Sequence, residues 1–281
     1  MPTSLRQQFK ARLQQPDIIM MPGVFCGITA KMASKLGFEA LYISGAGLHN
    51  IVGYTDTGLL SLEEFVLSLR YIVNSSTVPL LSDADTGFGD IQKCVEQFEE
   101  IGLCGLHLED QVFPKRCGHL DGKTIVSIEE MQDRIRQAVA AKKDPDFMIM
   151  ARVDARNTEG IHSAIDRAKA YIDAGANAIF AEALQSEEEY AAFSTQVKSH
   201  NNCNAPLLAN MTEFGKTPYL TAKQFEALGY DMVIYPMTAF RIGMKAMQDA
   251  LVELQELDTQ EGFLDKMQTR QELYHLLDYT P

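Results

Sequence analysis

The chain has no tryptophan and only five cysteines in 281 residues. Cys26, Cys94, Cys104, Cys117 and Cys203 form no Cys-x-x-Cys pair, and their number is odd. Neither a disulfide framework nor a zinc knuckle is expected, and a reducing cytoplasm is the compartment that fits. Positive charge is also scarce, with 25 Lys and Arg against 38 Asp and Glu and a formal net charge of −13. Such a surface repels a polyanion, and there is no basic stripe with interleaved aromatics, so nucleic acid is not an expected partner. A small anionic substrate needs a pocket whose local charge is reversed. No apolar run approaches membrane-spanning length, and no apolar signal core follows Met1-Pro2-Thr3-Ser4-Leu5-Arg6, so a soluble protein without membrane contact is expected. A dinucleotide fingerprint is missing too. The first candidate turn reads Pro22-Gly23-Val24-Phe25-Cys26-Gly27, and Gly45-Ala46-Gly47 is too short to count.

What is present is an apolar content of 46%, enough for a large core. Short apolar runs bounded by turn residues lie near 18–23, 40–45, 79–85, 105–111, 147–154, 178–182, 206–212 and 232–237. Amphipathic stretches fall at 4–14, 26–37, 61–74, 90–101, 127–143, 159–174, 186–199 and 221–228. Apolar strands alternating with helices predict a parallel sheet covered on both faces. Eight such units over this length predict a (β/α)8 barrel of the TIM type, one domain over 1–281. Two further helical stretches, near 238–256 and 259–276, predict a C-terminal helical extension over 238–281. Its apolar residues pack on its own barrel or on a partner subunit.

In a barrel, the C-terminal ends of the strands build the site. Polar residues gather there: Tyr42, Ser44 and Gly45; Asp83 and Asp85; His107, Glu109 and Asp110; Arg152 and Asp154; Glu182; Asn210, Thr212 and Glu213; then Arg241 after the eighth strand. Asp83 and Asp85 are two apart and share a side of an extended strand. With Glu109 they offer hard oxygen ligands that suit Mg²⁺, or Mn²⁺ in its place. The competing reading pairs these carboxylates with Arg152 and Lys115. His107 reads as a hydrogen-bonded core histidine. Lys115, Arg116, His119, Arg152 and Arg241 supply the charge reversal a polycarboxylate needs.

The fourth strand runs into Gln111-Val112-Phe113-Pro114-Lys115-Arg116-Cys117-Gly118-His119. Arg116 and His119 place Cys117 in a setting that lowers a thiol pKa. The segment from Gln111 to Lys123 is long for a loop between a strand and a helix and reads as a lid, or more blandly as a surface loop with an incidental cysteine.

Lys115-Arg116-Cys117-Gly118-His119, Ser82-Asp83-Ala84-Asp85-Thr86-Gly87, Gly105-Leu106-His107-Leu108-Glu109-Asp110-Gln111, Ala151-Arg152-Val153-Asp154-Ala155 and Asn210-Met211-Thr212-Glu213-Phe214-Gly215 resemble the isocitrate lyase/phosphoenolpyruvate mutase superfamily. Arg116 and the C-terminal Met267–Tyr274 resemble its 2-methylisocitrate branch. The resemblance implies C–C cleavage of 2-methylisocitrate to pyruvate and succinate. It implies Mg²⁺ held by Asp83, Asp85 and Glu109, with Asp85 in direct contact. Ser44, Gly45, Ala46 and Arg152 would hold the pyruvate half; Glu182, Asn210, Thr212, Arg241, Gly118 and His119 the succinate half. Cys117 would be the general acid, poised by Arg116 and His119. Tyr42 would be the base, with Glu109 or a metal-bound water as rivals. A homotetramer that exchanges its last helix is implied as well. Ala46, Ser82, Ala181 and Phe113-Pro114 depart from that branch. They leave open a related 2-hydroxydicarboxylate such as 2,3-dimethylmalate, isocitrate or oxaloacetate. A non-catalytic binding or assembly barrel is the reading of another class.

Overall fold

A computed structural model describes residues 3–115, 122–202 and 204–280. Its eight strands are β1 (Ile19–Val24), β2 (Leu41–Ile43), β3 (Leu80–Asp83), β4 (Gly105–Glu109), β5 (Met148–Val153), β6 (Ala178–Ala181), β7 (Leu207–Asn210) and β8 (Met232–Tyr235). They follow one another around a closed parallel barrel, in chain order. β8 completes the ring by pairing with β1, Ile19 opposite Met232 through Pro22 opposite Tyr235. This is the barrel that the alternating runs predict.

Side-chain alternation splits the apolar residues into two layers. On β5, Met148 and Met150 point into the barrel with Ile19, Met21, Leu81, Phe180, Leu208 and Met232. Ile149, Ala151 and Val153 point outward into the larger core beneath the helices.

The helices are α1 (Leu5–Arg12), α2 (Gly27–Lys35), α3 (Gly45–Ile51), α4 (Leu62–Val73), α5 (Ile91–Glu100), α6 (Ile128–Ala141), α7 (Arg156–Glu159), α8 (Ile161–Asp173), α9 (Glu187–Lys198), α10 (Ala222–Ala227), α11 (Thr238–Leu257) and α12 (Arg270–Leu276). Ser4, Ser61, Asp90, Ser127, Ser186 and Thr221 each cap a helix by accepting from the N–H three residues on.

Three features differ from the pattern reading. α3 and α7 are helices where loops were expected. The last stretch is not one helix: a 3-10 segment at Glu261–Lys266 is followed by α12. Thr269 divides them, because it N-caps α12 in a capping box with Glu272. α12 lies against α2 of its own chain. Asp278 pairs with Lys31 at 2.8 Å and with Lys35, whose Nζ donates to the His275 carbonyl at 2.7 Å. α11 has no buried residue, and Ile242, Met247, Leu251 and Leu257 stand exposed along it. Among the described residues, no helix is long and apolar enough to cross a membrane.

Candidate active site

A cavity of about 240 Å³ opens at the C-terminal mouth of the barrel. Ten of the anticipated residues line it: Tyr42, Ser44, Ala46, Asp83, Lys115, Arg152, Glu182, Asn210, Thr212 and Arg241. Gly45, Asp85 and Glu109 are buried and are not among its lining residues. Arg116, Cys117, Gly118 and His119 lie outside the described residues. A wider groove of about 1030 Å³ runs along the barrel flank by α4, α5 and α6 and reaches only Asp85 of the anticipated set.

The wall begins where β2 ends. Ser44 caps α3, its Oγ accepting from the Gly47 N–H at 3.2 Å, which turns the chain at Gly45 and Ala46 over the mouth. A Cβ at Gly45 would stand 2.6 Å from Asp83 Oδ2, so glycine lets the carboxylate lie against the backbone. The Asp85 backbone is left-handed (φ +48°), and its N–H donates to Asp83 Oδ1 at 2.9 Å.

The carboxylates are buried and differ in charge state. Burial raises the Asp83 pKa, but neighbouring His107, Lys115 and Arg152 and the Asp85 N–H hold it well below the carboxylate range. Asp85 goes up to about 6, since burial with Asp83 and Asp56 nearby outweighs Lys115. Burial also raises Glu109 well above its ordinary value, against the pull of Arg152 and Lys115. Lys115 bridges two acids, its Nζ lying 2.5 Å from Asp85 Oδ1 and 2.6 Å from Asp56 Oδ1. Arg152 donates to Asp154 at 2.8 Å and stands 3.4 Å from Glu109 and 3.5 Å from Glu182. Of the carboxylates that the sequence sets against it, Glu109 is in ion-pair reach. Arg241 is half exposed, 3.5 Å from Glu213 and stacked over Phe214 at 5.6 Å.

Tyr42 and His107 share a 2.8 Å hydrogen bond, so His107 is a hydrogen-bonded core histidine as anticipated. Burial pushes His107 down to about 4 and Tyr42 well above its ordinary value. At neutral pH this is a neutral phenol beside a neutral imidazole. A neutral phenol can accept a proton only by giving up its own, and His107 is the group hydrogen-bonded to the Tyr42 hydroxyl.

The donor set suits a small hard cation. Asp85 Oδ2 and Glu109 Oε1 are buried and have no hydrogen-bond donor among the described residues. No three His, Cys, Asp or Glu side chains among those residues make a complete metal cage. One or two carboxylates, with water and substrate filling the other positions, is how Mg²⁺ is ordinarily held.

Asp56, Asn50 and Met237 also line the cavity and were not anticipated. Asp56 sits in the polar turn Tyr54-Thr55-Asp56-Thr57-Gly58, off every strand. Its only local signal is an acid just ahead of a turn glycine.

A family model described as phosphoenolpyruvate phosphomutase matches residues 9–255. The chain belongs to the phosphoenolpyruvate phosphomutase family. Within this family it is similar to the probable 2-methylisocitrate lyase 1 of Corynebacterium glutamicum, 49% identical over 277 residues, covering 98% of this chain and 89% of the relative. The 2-methylisocitrate lyase of Aeropyrum pernix is 46% identical over 270 residues, covering 95% and 85%. Among solved structures, a 2,3-dimethylmalate lyase superposes with a TM-score of 0.91 at 34% identity, covering 99% of this chain and 93% of that one. A phosphonopyruvate hydrolase in complex with oxalate and Mg²⁺ superposes with a TM-score of 0.87 at 28% identity, covering 98% and 95%.

Proposed function

We propose that this protein is a lyase that cleaves 2-methylisocitrate to pyruvate and succinate, a step of propionate breakdown through 2-methylcitrate. The observation that carries the reading is the mouth cavity itself. It sets the cations Lys115 and Arg152 near buried acids whose oxygens have no donor among the described residues, in a chain close in sequence to 2-methylisocitrate lyases.

Arg152, with the first residues of α3, grips the carboxylate next to the hydroxyl. Asn210, Thr212, Arg241 and Glu182 hold the other half. The hydroxyl proton passes to Tyr42, whose own proton moves to His107. The O–H electron pair becomes the carbonyl of pyruvate as the C2–C3 bond breaks. Its electrons pass to the C3 carboxylate of the leaving fragment, where cations and N–H donors stabilise the charge. Cys117, poised by Arg116 and His119, returns one proton to C3 and gives succinate. We assign a divalent cation, Mg²⁺ with Mn²⁺ as substitute, to Asp85, Asp83 and Glu109; bound there, it supplies positive charge for the developing oxygen anion.

The assembly that fits is a homotetramer in the cytoplasm. Ile242, Met247, Leu251 and Leu257 of α11 stand exposed among the described residues, and a second copy would cover them. With α12 seated on its own α2, α11 is the segment we expect subunits to share.

A second reading takes a related 2-hydroxydicarboxylate as substrate. Ala46, half-buried in the cavity wall, favours it by narrowing the space beside the Ser44 turn. Turnover with Mg²⁺ across 2-methylisocitrate, isocitrate, 2,3-dimethylmalate and oxaloacetate, read as pyruvate or the matching product, decides between them. No preference for 2-methylisocitrate sinks the first reading. No turnover of any of the four sinks both and leaves a binding barrel.

A further inference from the structure

We propose that Lys123 and Asp154 are a positioning pair that sets the direction and the effective charge of the Arg152 guanidinium toward a bound carboxylate. The inference rests on the reading above only in taking Arg152 as a carboxylate-binding group.

Asp154 is completely buried at the end of β5. Its Oδ2 accepts from Arg152 Nε at 2.8 Å. Its Oδ1 accepts from Lys123 Nζ at 2.8 Å and from Arg152 Nη2 at 3.2 Å. The bonds to Nε and Nη2 fix one edge of the guanidinium fork and so set its direction in the cavity wall, of which Arg152 is part. Asp154 is itself held from behind. Its N–H donates to Asp110 Oδ1 at 2.8 Å, and Asp110 Oδ2 accepts from the Tyr171 hydroxyl at 2.8 Å. Lys123 is fixed by backbone, because Ile125 bridges Gln111 and the Val126 N–H donates to the Asp110 carbonyl at 2.9 Å.

Charge explains why a second cation belongs there. Arg152 lies within ion-pair reach of three acids, Asp154, Glu109 and Glu182. Asp154, completely buried and bonded to both Nε and Nη2, would by itself offset the charge that Arg152 presents to a carboxylate. The Lys123 ammonium, with its side chain 1% exposed, engages Asp154 without solvent screening. Arg152 then keeps positive charge to offer. Burying this cation–anion–cation row contributes little to stability in itself, so orientation is the better account of it.

The probe is oxalate with MgCl₂, followed by titration calorimetry on the full chain. Lys123→Met is expected to bind oxalate on the order of tenfold more weakly, whereas Lys123→Arg stays within about twofold of the parent. In the cleavage assay KM rises by the same factor and kcat holds, because the lost grip acts on ground and transition states alike. Asp154→Asn, which frees the Nε edge, raises KM as well. A folded Lys123→Met with the parent's oxalate affinity overturns the inference. So does a Lys123→Arg as weak as Lys123→Met, which would make the role one of packing. If Lys123→Met does not fold, Lys123→Gln replaces it with the same two outcomes, and the Lys123→Arg result decides alone if neither folds. A parent that binds oxalate but does not cleave 2-methylisocitrate defeats the substrate reading and leaves this inference standing. A parent that does not bind oxalate overturns the inference.

Discussion

The two ends of the barrel handle charge in opposite ways. At the N-terminal floor the buried Glu99 and the half-buried Arg6 and Asp231 all have partners among the described residues. Arg6 donates to the Leu103 carbonyl at 2.8 Å, to the Glu99 carbonyl, and to Asp144 at 2.8 Å. Glu99 accepts the N–H groups of Lys143 and Asp144, and Asp231 accepts from Leu207 at 2.8 Å while pairing with Lys198 at 2.8 Å. At the mouth, Asp85 and Glu109 keep oxygens with no donor among the described residues. A buried carboxylate without partners is costly, so the mouth gives up stability that the floor does not. The contrast teaches that acidity alone does not mark a site. Incomplete satisfaction of buried acid does.

Four experiments stress that contrast. The largest effect is expected at the proposed general acid: Cys117→Ser should lower kcat on the order of a hundredfold or more, read as pyruvate release, with substrate still bound. Near-parent cleavage would remove the general-acid role, and a chelator that left activity untouched would remove the metal. Next, Glu109→Gln should cost on the order of a hundredfold in activity. Its melting temperature should equal or exceed the parent's, since a buried acid whose Oε1 has no donor among the described residues gives way to a neutral amide; a large fall in melting temperature would mean that the mouth is satisfied after all. Third, Arg6→Ala at the floor should reverse the pattern. It leaves several acceptors unpaired at about 1–3 kcal/mol, lowering Tm by a few degrees with kcat and KM unchanged. An Arg6→Ala enzyme that lost activity before stability would blur the two ends.

The smallest effect is expected at Asp278. Lys31 and Lys35 hold this exposed carboxyl down to about 2. Its folded pKa lies below the unfolded value of about 3.9, so its contribution is complete above that pH and is lost as pH falls toward about 2. The hydrogen-exchange protection of α12, corrected for the intrinsic exchange rate at each pH, should therefore be steady from neutral pH to about 5 and fall below about 4. In Asp278→Asn the protection should already be lower at neutral pH, with global Tm barely moved.

The same contrast explains what the sequence disclosed. Strands such as β4 and β5 are apolar on both faces and end in charge, which is visible residue by residue, and the barrel follows from their number and spacing. Asp83, Lys115, Arg152 and Asn210 were found because strand ends converge. Asp56 was not, because it reaches the cavity from a turn whose path depends on the packing of α3. α3 was itself hidden, since Gly45 and Gly47 are poor helix formers and the Ser44 cap compensates for them. The split between Glu261–Lys266 and α12 was written in the Thr269–Glu272 capping box, but apolar spacing at 263, 264, 267 and 273 outweighed it. The sequence sets Arg152 against strand-end carboxylates other than Asp154. Its tightest partner is Asp154, two residues along the same strand.

The pairing of β1 with β8 reaches beyond the finished molecule. A strand that begins at Ile19 waits for one that ends at Tyr235. During synthesis at roughly 5–20 residues per second, the growing chain presents two open sheet edges until that last strand leaves the ribosome. Each edge is a template for another nascent copy. The chain is thus most exposed to misassembly just before it becomes a ring, and a stalled or truncated product ending before Met232 should be a better client for chaperones and proteases than any full-length variant above.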